Sequence, residues 1–265
     1  MASRLTAEPA SDAELRERWQ AWRRERDAYF GQPHGWLSLT ALHWLDDVPT
    51  ELDGLPGRWW GDDTGVHLDP GDNGGVVLVE GEPVTRTALL WNPAEGAAPS
   101  VSWGDRRLEL ILRDGFLGLR VRDPRAPGLL AYRGVPSFDH DPAWRLTGRY
   151  RPYPAAHREE IGSAAARVNL TAQVTGEVDL TVDGTPVTLK VTGDDSEWLI
   201  SFRDPGNPRF RWIVLDEAPG EELVVDFNYA ANPPCAFTDF GTCPLPPAGN
   251  RIDLPVLAGE RDPRG

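Results

Sequence analysis

The chain has 265 residues, 40% of them hydrophobic and 26% charged, enough to bury a real core as one large or two modest globular units. Its formal charge of -14, with 41 acids against 27 Lys plus Arg, argues against a nucleic-acid partner, which needs a basic face, and against an anionic membrane surface. No segment approaches the ~18 consecutive apolar residues of a membrane span, and the opening Met1-Ala2-Ser3-Arg4 lacks an apolar signal-peptide centre, so no membrane contact and a cytoplasmic location are expected.

Ser11 with Glu14 fits the S-x-x-E capping box, and Leu15, Trp19, Trp22 and Arg26 follow at helical spacing. The spacing predicts an amphipathic helix from about Asp12 to Phe30, ended by Gly31 and Pro33. The apolar stretch from Gly35 to Leu45 reads as a second helix or a buried turn, with its two Trp as packing anchors. After Asp53-Gly54 the texture changes to short apolar runs separated by Gly, Pro, Asn and Asp, as an antiparallel β protein requires. Val76 to Val79, Thr87 to Trp91, Arg107 to Leu112 and Leu117 to Val121 read as strands, with turns at Gly104-Asp105 and Asp114-Gly115. This module faintly resembles forkhead-associated domains but shows no counterpart of their phosphopeptide-binding Arg and Ser, so that activity is not carried over.

The Pro- and Gly-rich stretch Asp123 to Gly128 reads as a linker. Beyond it strands resume at Trp144 to Tyr150, Val168 to Val174, Glu177 to Val182, Val187 to Val191, Trp198 to Phe202, Phe210 to Leu215 and Leu223 to Phe227, and Asp183-Gly184 is a type I′ hairpin signal. Many short strands with no helices between them indicate a barrel or sandwich, not a βαβ sheet. The fold class expected is mainly β: an N-terminal helical segment (1–50), a small β module (51–125), and an antiparallel barrel-like or sandwich domain (126–265) closed by a Cys/Pro loop.

That closing run holds DFNYAANPPCAF from Asp226, then CPLPPAGN from Cys243 and AGE ending at Glu260, with both cysteines in it. It closely resembles the C-terminal signature of the bacterial domain-of-unknown-function family 1684, approximately DFNxAYNPxCAY, CPLPPxEN and AGE. Upstream, Pro136-Ser137-Phe138, Asp141-Pro142-Ala143-Trp144-Arg145 and the F-x-D of Phe202-Arg203-Asp204 resemble the family more weakly, and GWLSLTALHWLDD resembles the N-terminal extension of its longer members. Ala231 stands where the family usually has Tyr, Gly249 where it usually has Glu, and Pro205 to Phe210 replaces a Thr-rich turn leading to a Tyr and an Arg. The resemblance implies a fold and a set of positions, and no activity.

Group by group, the chemistry divides between site and scaffold. Asp226 and Asn228 alternate with Phe227, so both face one side of a strand end. They are ligand groups if that side looks into a cavity, or partners for a Pro-rich backbone short of N–H donors if it does not. Asn232 and Asn250 carry the same alternatives. Cys235 is read as the candidate catalytic nucleophile, and among the five histidines His157 is its candidate partner, though a solvated turn explains His157 equally well. Cys235 and Cys243 are read three ways: buried free thiols, a redox-sensitive pair, or soft metal ligands, of which C-x7-C matches no zinc spacing. Arg203 beside Asp204 would meet an anionic ligand first, or else pair across the sheet. The candidate ligand residues are therefore Asp226, Asn228, Asn232, Cys235, Cys243, Asn250, Glu260, Arg203 and Asp204, with Cys235 and His157 as catalytic candidates and no metal or cofactor expected. Two functions remain open: a protein that binds or acts on a small molecule under the 226–260 loop, or a non-catalytic interaction module using Trp-rich or Pro-rich surface. Neither oligomeric state nor reaction is legible.

Overall fold

The computed structural model describes residues 11–71, 75–194 and 197–264; the opening residues read for a targeting signal lie outside them. Helix α1 (Asp12–Phe30) begins with the expected capping box. The Ser11 backbone N–H donates to Glu14 Oε2 at 2.7 Å, and the Glu14 N–H donates to Ser11 Oγ at 3.3 Å. Trp19 and Phe30 are its buried residues, so α1 is held by a narrow stripe and by polar contacts, not by a broad apolar face.

The stretch after α1 differs from the helix or turn expected. Trp36–Ser38 is a single 3-10 turn, and β1 (Leu39–Trp44) follows as a strand paired with residues 116–122. A short apolar run fits either period, and the free edge of its neighbour decides in favour of the strand. Nine further strands follow among the described residues of the module: β2 (Thr50–Glu51), β3 (Arg58–Asp62), β4 (Gly65–Asp69), β5 (Val77–Val79), β6 (Glu82–Pro83), β7 (Ala88–Trp91), β8 (Val101–Trp103), β9 (Arg106–Arg113) and β10 (Phe116–Arg122). They form a sheet in the order β1-β10-β9-β8-β5-β6 and a second in the order β2-β3-β4-β7. The two sheets share one core, in which Trp59, Val66 and Leu68 meet Val101, Leu108 and Leu119.

A short helix α2 (Pro127–Ala131) leads to the third sheet. Its strands are β11 (Arg145–Gly162), β12 (Asn169–Val182), β13 (Thr185–Gly193), β14 (Trp198–Asp204), β15 (Asn207–Leu215) and β16 (Glu222–Asp226). They lie in the order β15-β14-β13-β12-β11-β16, all antiparallel, as a half-barrel. The Asp183-Gly184 hairpin has the two positive φ values, 46° and 76°, that a type I′ turn needs. The inward residues Val178, Leu180, Leu189, Ile200, Phe202, Ile213, Val225 and Phe227 fill the concave side. β11 is much longer than its expected segment: the ladder to β12 breaks between Pro152 and His157 and then resumes, so Pro154 falls in the bulge and Pro152, paired with Gly176, at its edge. Opposite, a Cβ on Gly176 would run into the Arg151 carbonyl and the Tyr150 ring, and its absence lets the two strands coil tightly. No helix among the described residues is long and apolar enough to cross a membrane.

The chain closes with a 3-10 turn (Phe227–Tyr229), a four-residue helix α3 (Pro234–Phe237) and an extended C-terminal run. In that run Glu260 donates its N–H to Ala230 O at 2.8 Å, and Phe138 donates to Gly259 O at 2.9 Å. Gly259 has φ +73°, and a Cβ there would collide with the carbonyls of Ala230 and Phe227. Gly259→Ala is expected to cost ~3 kcal/mol or more in denaturant unfolding, whereas Gly249→Ala, with φ +91° but open space around it, should cost about 1 kcal/mol. Equal costs would show that the close approach at Gly259 is not needed.

Candidate functional site

The polar residues of the closing run are turned into the protein's own backbone. Asp226 ends β16 and caps the next turn, its Oδ1 accepting from the Asn228 N–H (3.0 Å) and from Asn228 Nδ2 (2.8 Å). Asn228 is fully buried. Its Nδ2 donates to Asp141 O and its Oδ1 accepts from the Asp141 N–H, both at 2.9 Å, like a bridge between strands. Asn250 does the same at a gap in the sheet. β13 and β14 pair only at Thr192/Leu199 and Gly193/Trp198, and beyond that Asn250 Oδ1 accepts from the Lys190 N–H (2.8 Å) while Nδ2 donates to Lys190 O (2.9 Å) and Ser201 O (2.8 Å). A side-chain amide thus supplies the ladder bonds that the separated strands lack.

Asn232 and Glu260 form a second knot. The Asn232 N–H donates to Glu260 Oε2 (2.6 Å), its Nδ2 to Arg261 O (2.7 Å), and its Oδ1 accepts from Asn207 Nδ2 (3.1 Å). Glu260 is 1% exposed, and its charge is met from α1, where Arg26 Nε donates to Oε1 (2.7 Å) and Nη2 to Oε2 (2.9 Å). Arg26 Nη2 also reaches Asn232 O at 3.0 Å, and Trp19 Nε1 donates to Asn228 O at 3.0 Å. The N-terminal helix therefore docks directly on the run.

Arg203 and Asp204 separate. Arg203 is exposed, with its guanidinium 5.7 Å from the Phe210 ring centre. Asp204 is buried in an ion pair with Arg211, Nη2 to Oδ1 at 2.7 Å, both side chains 1% exposed. Arg211 further donates to Val256 O (3.0 Å), Ala258 O (2.6 Å) and Glu260 O (3.1 Å), while Asp204 Oδ2 accepts from the Gly206 and Val256 N–H groups, each at 3.0 Å.

The cysteines are both free and buried, with the Cys235 N–H donating to Cys243 Sγ at 3.3 Å. A thiol–thiol hydrogen bond pushes the Cys235 thiol up, helped by burial and by the charge of its neighbour. The same bond holds Cys243 below the ordinary thiol range, supported by the Cys235 N–H and the buried Arg120. His157 lies on β11, half-exposed, bonded to Glu159 Oε1 at 3.1 Å and facing Tyr153, so the two catalytic candidates are not brought together.

Two clefts touch the closing run. One of about 380 Å³ is walled by Pro244, Leu245 and Pro247 against Thr171, Gln173 and Ser201. The larger, of about 720 Å³, lies between α1 and the two outermost strands of the half-barrel, β15 and β16, and includes Trp22, Arg145, Asp226, Tyr229 and the bridged backbone pair Trp212 and Ala231. Of the candidate ligand residues, Asp226 lines the larger cleft; the smaller is lined by Ser201, whose carbonyl accepts from Asn250 Nδ2.

Residues 130–261 match the model of the family described as "Protein of unknown function (DUF1684)". This second half of the chain belongs to that family. The match begins beyond α1 and the first β module, and the run at 226–260 within it is contacted by Trp19, Arg26 and Arg120 from outside the matched residues. A solution NMR structure of an uncharacterized protein from Haloarcula marismortui is 26% identical over 49% of this chain and 77% of that one, with a TM-score of 0.41. No curated protein matches the chain.

Arg211, Arg26 and the large cleft escaped the sequence reading. Arg211 carried a signal: it shares the inward face of β15 with Ile213 and Leu215, where an unpaired charge would not be tolerated. Arg26 likewise interrupts the stripe of Trp19, Trp22 and Phe30. Arg26→Met is expected to cost about 3 kcal/mol in unfolding free energy, because it leaves the Glu260 charge buried with a single N–H partner, and adding Glu260→Gln should recover more than half of that. A double variant as unstable as the single one would mean that packing, not the charge, is what Arg26 supplies.

Proposed function

We propose that this chain is a non-catalytic binding protein for a small amphipathic molecule, seated in the cleft between α1 and the outermost strands of the half-barrel. One observation carries the reading. At about 720 Å³ the cleft is in the ~300–1,000 Å³ range of small-molecule sites, and it opens beside Ala231, where the family usually has the much larger Tyr. Trp22 and Tyr229, with ring centres 5.1 Å apart in an edge-on pair, and Trp212 supply aromatic walls. Charge is graded along it. Asp216, Glu217 and Glu222 gather where β15 turns into β16, while Arg145 sits at the far end of β16, opposite Asp226 in register and 3.9 Å from its carboxylate. Arg18, on α1, is exposed and in no ion pair among the described residues. An apolar or aromatic body with an anionic head towards Arg145 and Arg18 suits this arrangement. In this reading residues 126–265 form the binding domain, and the 1–50 segment contributes its covering helix.

The polar knots around Asn228, Asn232 and Glu260 support binding over catalysis, since their hydrogen-bonding capacity is spent on backbone and on α1. A second reading takes the same cleft as a seat for a polypeptide, favoured by Val214 and Val224, which are 50% and 38% exposed on the two edge strands. The native protein is expected to raise the fluorescence of 8-anilinonaphthalene-1-sulfonate, an aromatic anion, and Ala231→Tyr to weaken that binding about tenfold, ~1.4 kcal/mol, by refilling the cleft. Absence of any enhancement with the native protein would favour the polypeptide reading. Unchanged affinity in Ala231→Tyr would move the site elsewhere.

A further inference from the structure

We propose that Cys235 and Cys243 form a redox-active dithiol that a small hydroperoxide oxidises to an intrachain disulfide. The two side chains are already neighbours: the Cys235 N–H points at Cys243 Sγ at 3.3 Å, and both cysteines pack in one buried cluster with Phe210. The chain is folded tightly to bring them together, because a Cβ on Gly241 would lie within 3.0–3.1 Å of the Cα, Cβ and N of Cys235. Both ends of the loop are held from outside it. Arg209 Nη1 donates to Cys235 O at 3.4 Å, and Ala164 donates its N–H to Cys243 O at 2.9 Å.

The surroundings distinguish the two sulfurs. Arg120, 1% exposed, reaches across from the first β module and donates to Phe240 O (3.1 Å) and Thr242 Oγ1 (2.9 Å), which sets a buried cation beside Cys243. A backbone N–H and a guanidinium stabilise a thiolate at Cys243, whereas Cys235 keeps its proton. That is the division of labour an attacking and a resolving thiol require. The Cys243 thiolate attacks the terminal oxygen of a hydroperoxide, forming the S–O bond of a sulfenic acid and breaking the O–O bond. The departing alkoxide or hydroxide takes up a proton. The Cys235 sulfur then attacks Cys243 sulfur, and the hydroxide expelled leaves as water with the Cys235 proton. The sum is two thiols and one hydroperoxide giving one disulfide, one alcohol (or water) and one water.

The consequence is local. Pro244, next to Cys243, bridges Ser163, and Leu245 donates its N–H to Gly162 O at 2.9 Å, so the bond would stiffen the wall of the 380 Å³ cleft formed by Pro244, Leu245 and Pro247.

The experiment is hydrogen peroxide treatment of the full native chain, read by intact mass and by thiol titration after acid quenching and unfolding. The expected result is loss of both thiols together, with a mass lower by two hydrogens, reversed by dithiothreitol and faster than in the urea-unfolded chain by about tenfold or more, ~1.4 kcal/mol in barrier. Cys235→Ser should stop at a Cys243 sulfenic acid that dimedone traps, and Cys243→Ser should leave Cys235 unreacted. The proposal is overturned if the native chain keeps both thiols where the unfolded chain is oxidised. It is overturned equally if Cys243 in the unmutated chain accumulates as sulfinic acid, or if Cys235 reacts in Cys243→Ser.

Discussion

The ion pair between Arg211 and Asp204 is the constraint on which the second half of this molecule depends. Both side chains are almost wholly shielded from water, and a buried pair of this kind is tolerable only when its remaining hydrogen-bonding capacity is satisfied. Here the C-terminal run supplies most of that satisfaction, with the carbonyls of Val256, Ala258 and Glu260 on Arg211 Nη1 and Nη2 and the Val256 N–H on Asp204, while Arg211 Nε is left without a partner. The charges therefore require the run as much as the run requires the charges. Once residues 256–260 are fixed, the Glu260 side chain lies where it meets Asn232 and Arg26, and α1 is drawn onto the half-barrel.

The same economy explains why the closing segment is rich in Asn and Pro together. Proline removes N–H donors and fixes φ, which makes an irregular segment rigid but leaves neighbouring backbone groups without partners. Asn carries a donor and an acceptor in the geometry of a peptide group, so Asn228 mates with Asp141 and Asn250 with Lys190 as an adjacent strand would. Residues that look like a convergent active site are, in this setting, pieces of backbone ladder made from side chains. Gly249, with φ +91°, turns the chain just ahead of Asn250 in a way that a glutamate at that position would resist.

What could be read from the sequence was local. The Asp-Gly turn and the alternating strands of the half-barrel follow from φ preferences and a period of two, and the α1 capping box from spacing of three. The 35–45 stretch was not legible, because its apolar run suits a helix or a strand and only pairing with β10 decides. The continuous β11 was hidden by prolines that a bulge accommodates. The polar roles of Asn228 and Asn232 were visible as one of two alternatives, but their partners were not. Trp19 and Asn228 are 209 residues apart, Arg26 and Glu260 234, and no periodicity encodes contacts of that separation. The larger cleft is likewise a product of tertiary assembly, made by a helix from outside the residues that match DUF1684 meeting two strands within them.

The most direct test of this account is hydrogen–deuterium exchange of the full chain carrying Arg211→Met, followed peptide by peptide. If the buried pair organises the closure, protection is lost selectively at residues 252–261 and 230–232 and along α1, while β12 and β13 and the first β module keep theirs. Protection of the C-terminal run equal to that of the unmutated protein would contradict it, because the run would then be held by packing and its own turns, with the Arg211–Asp204 pair a passenger.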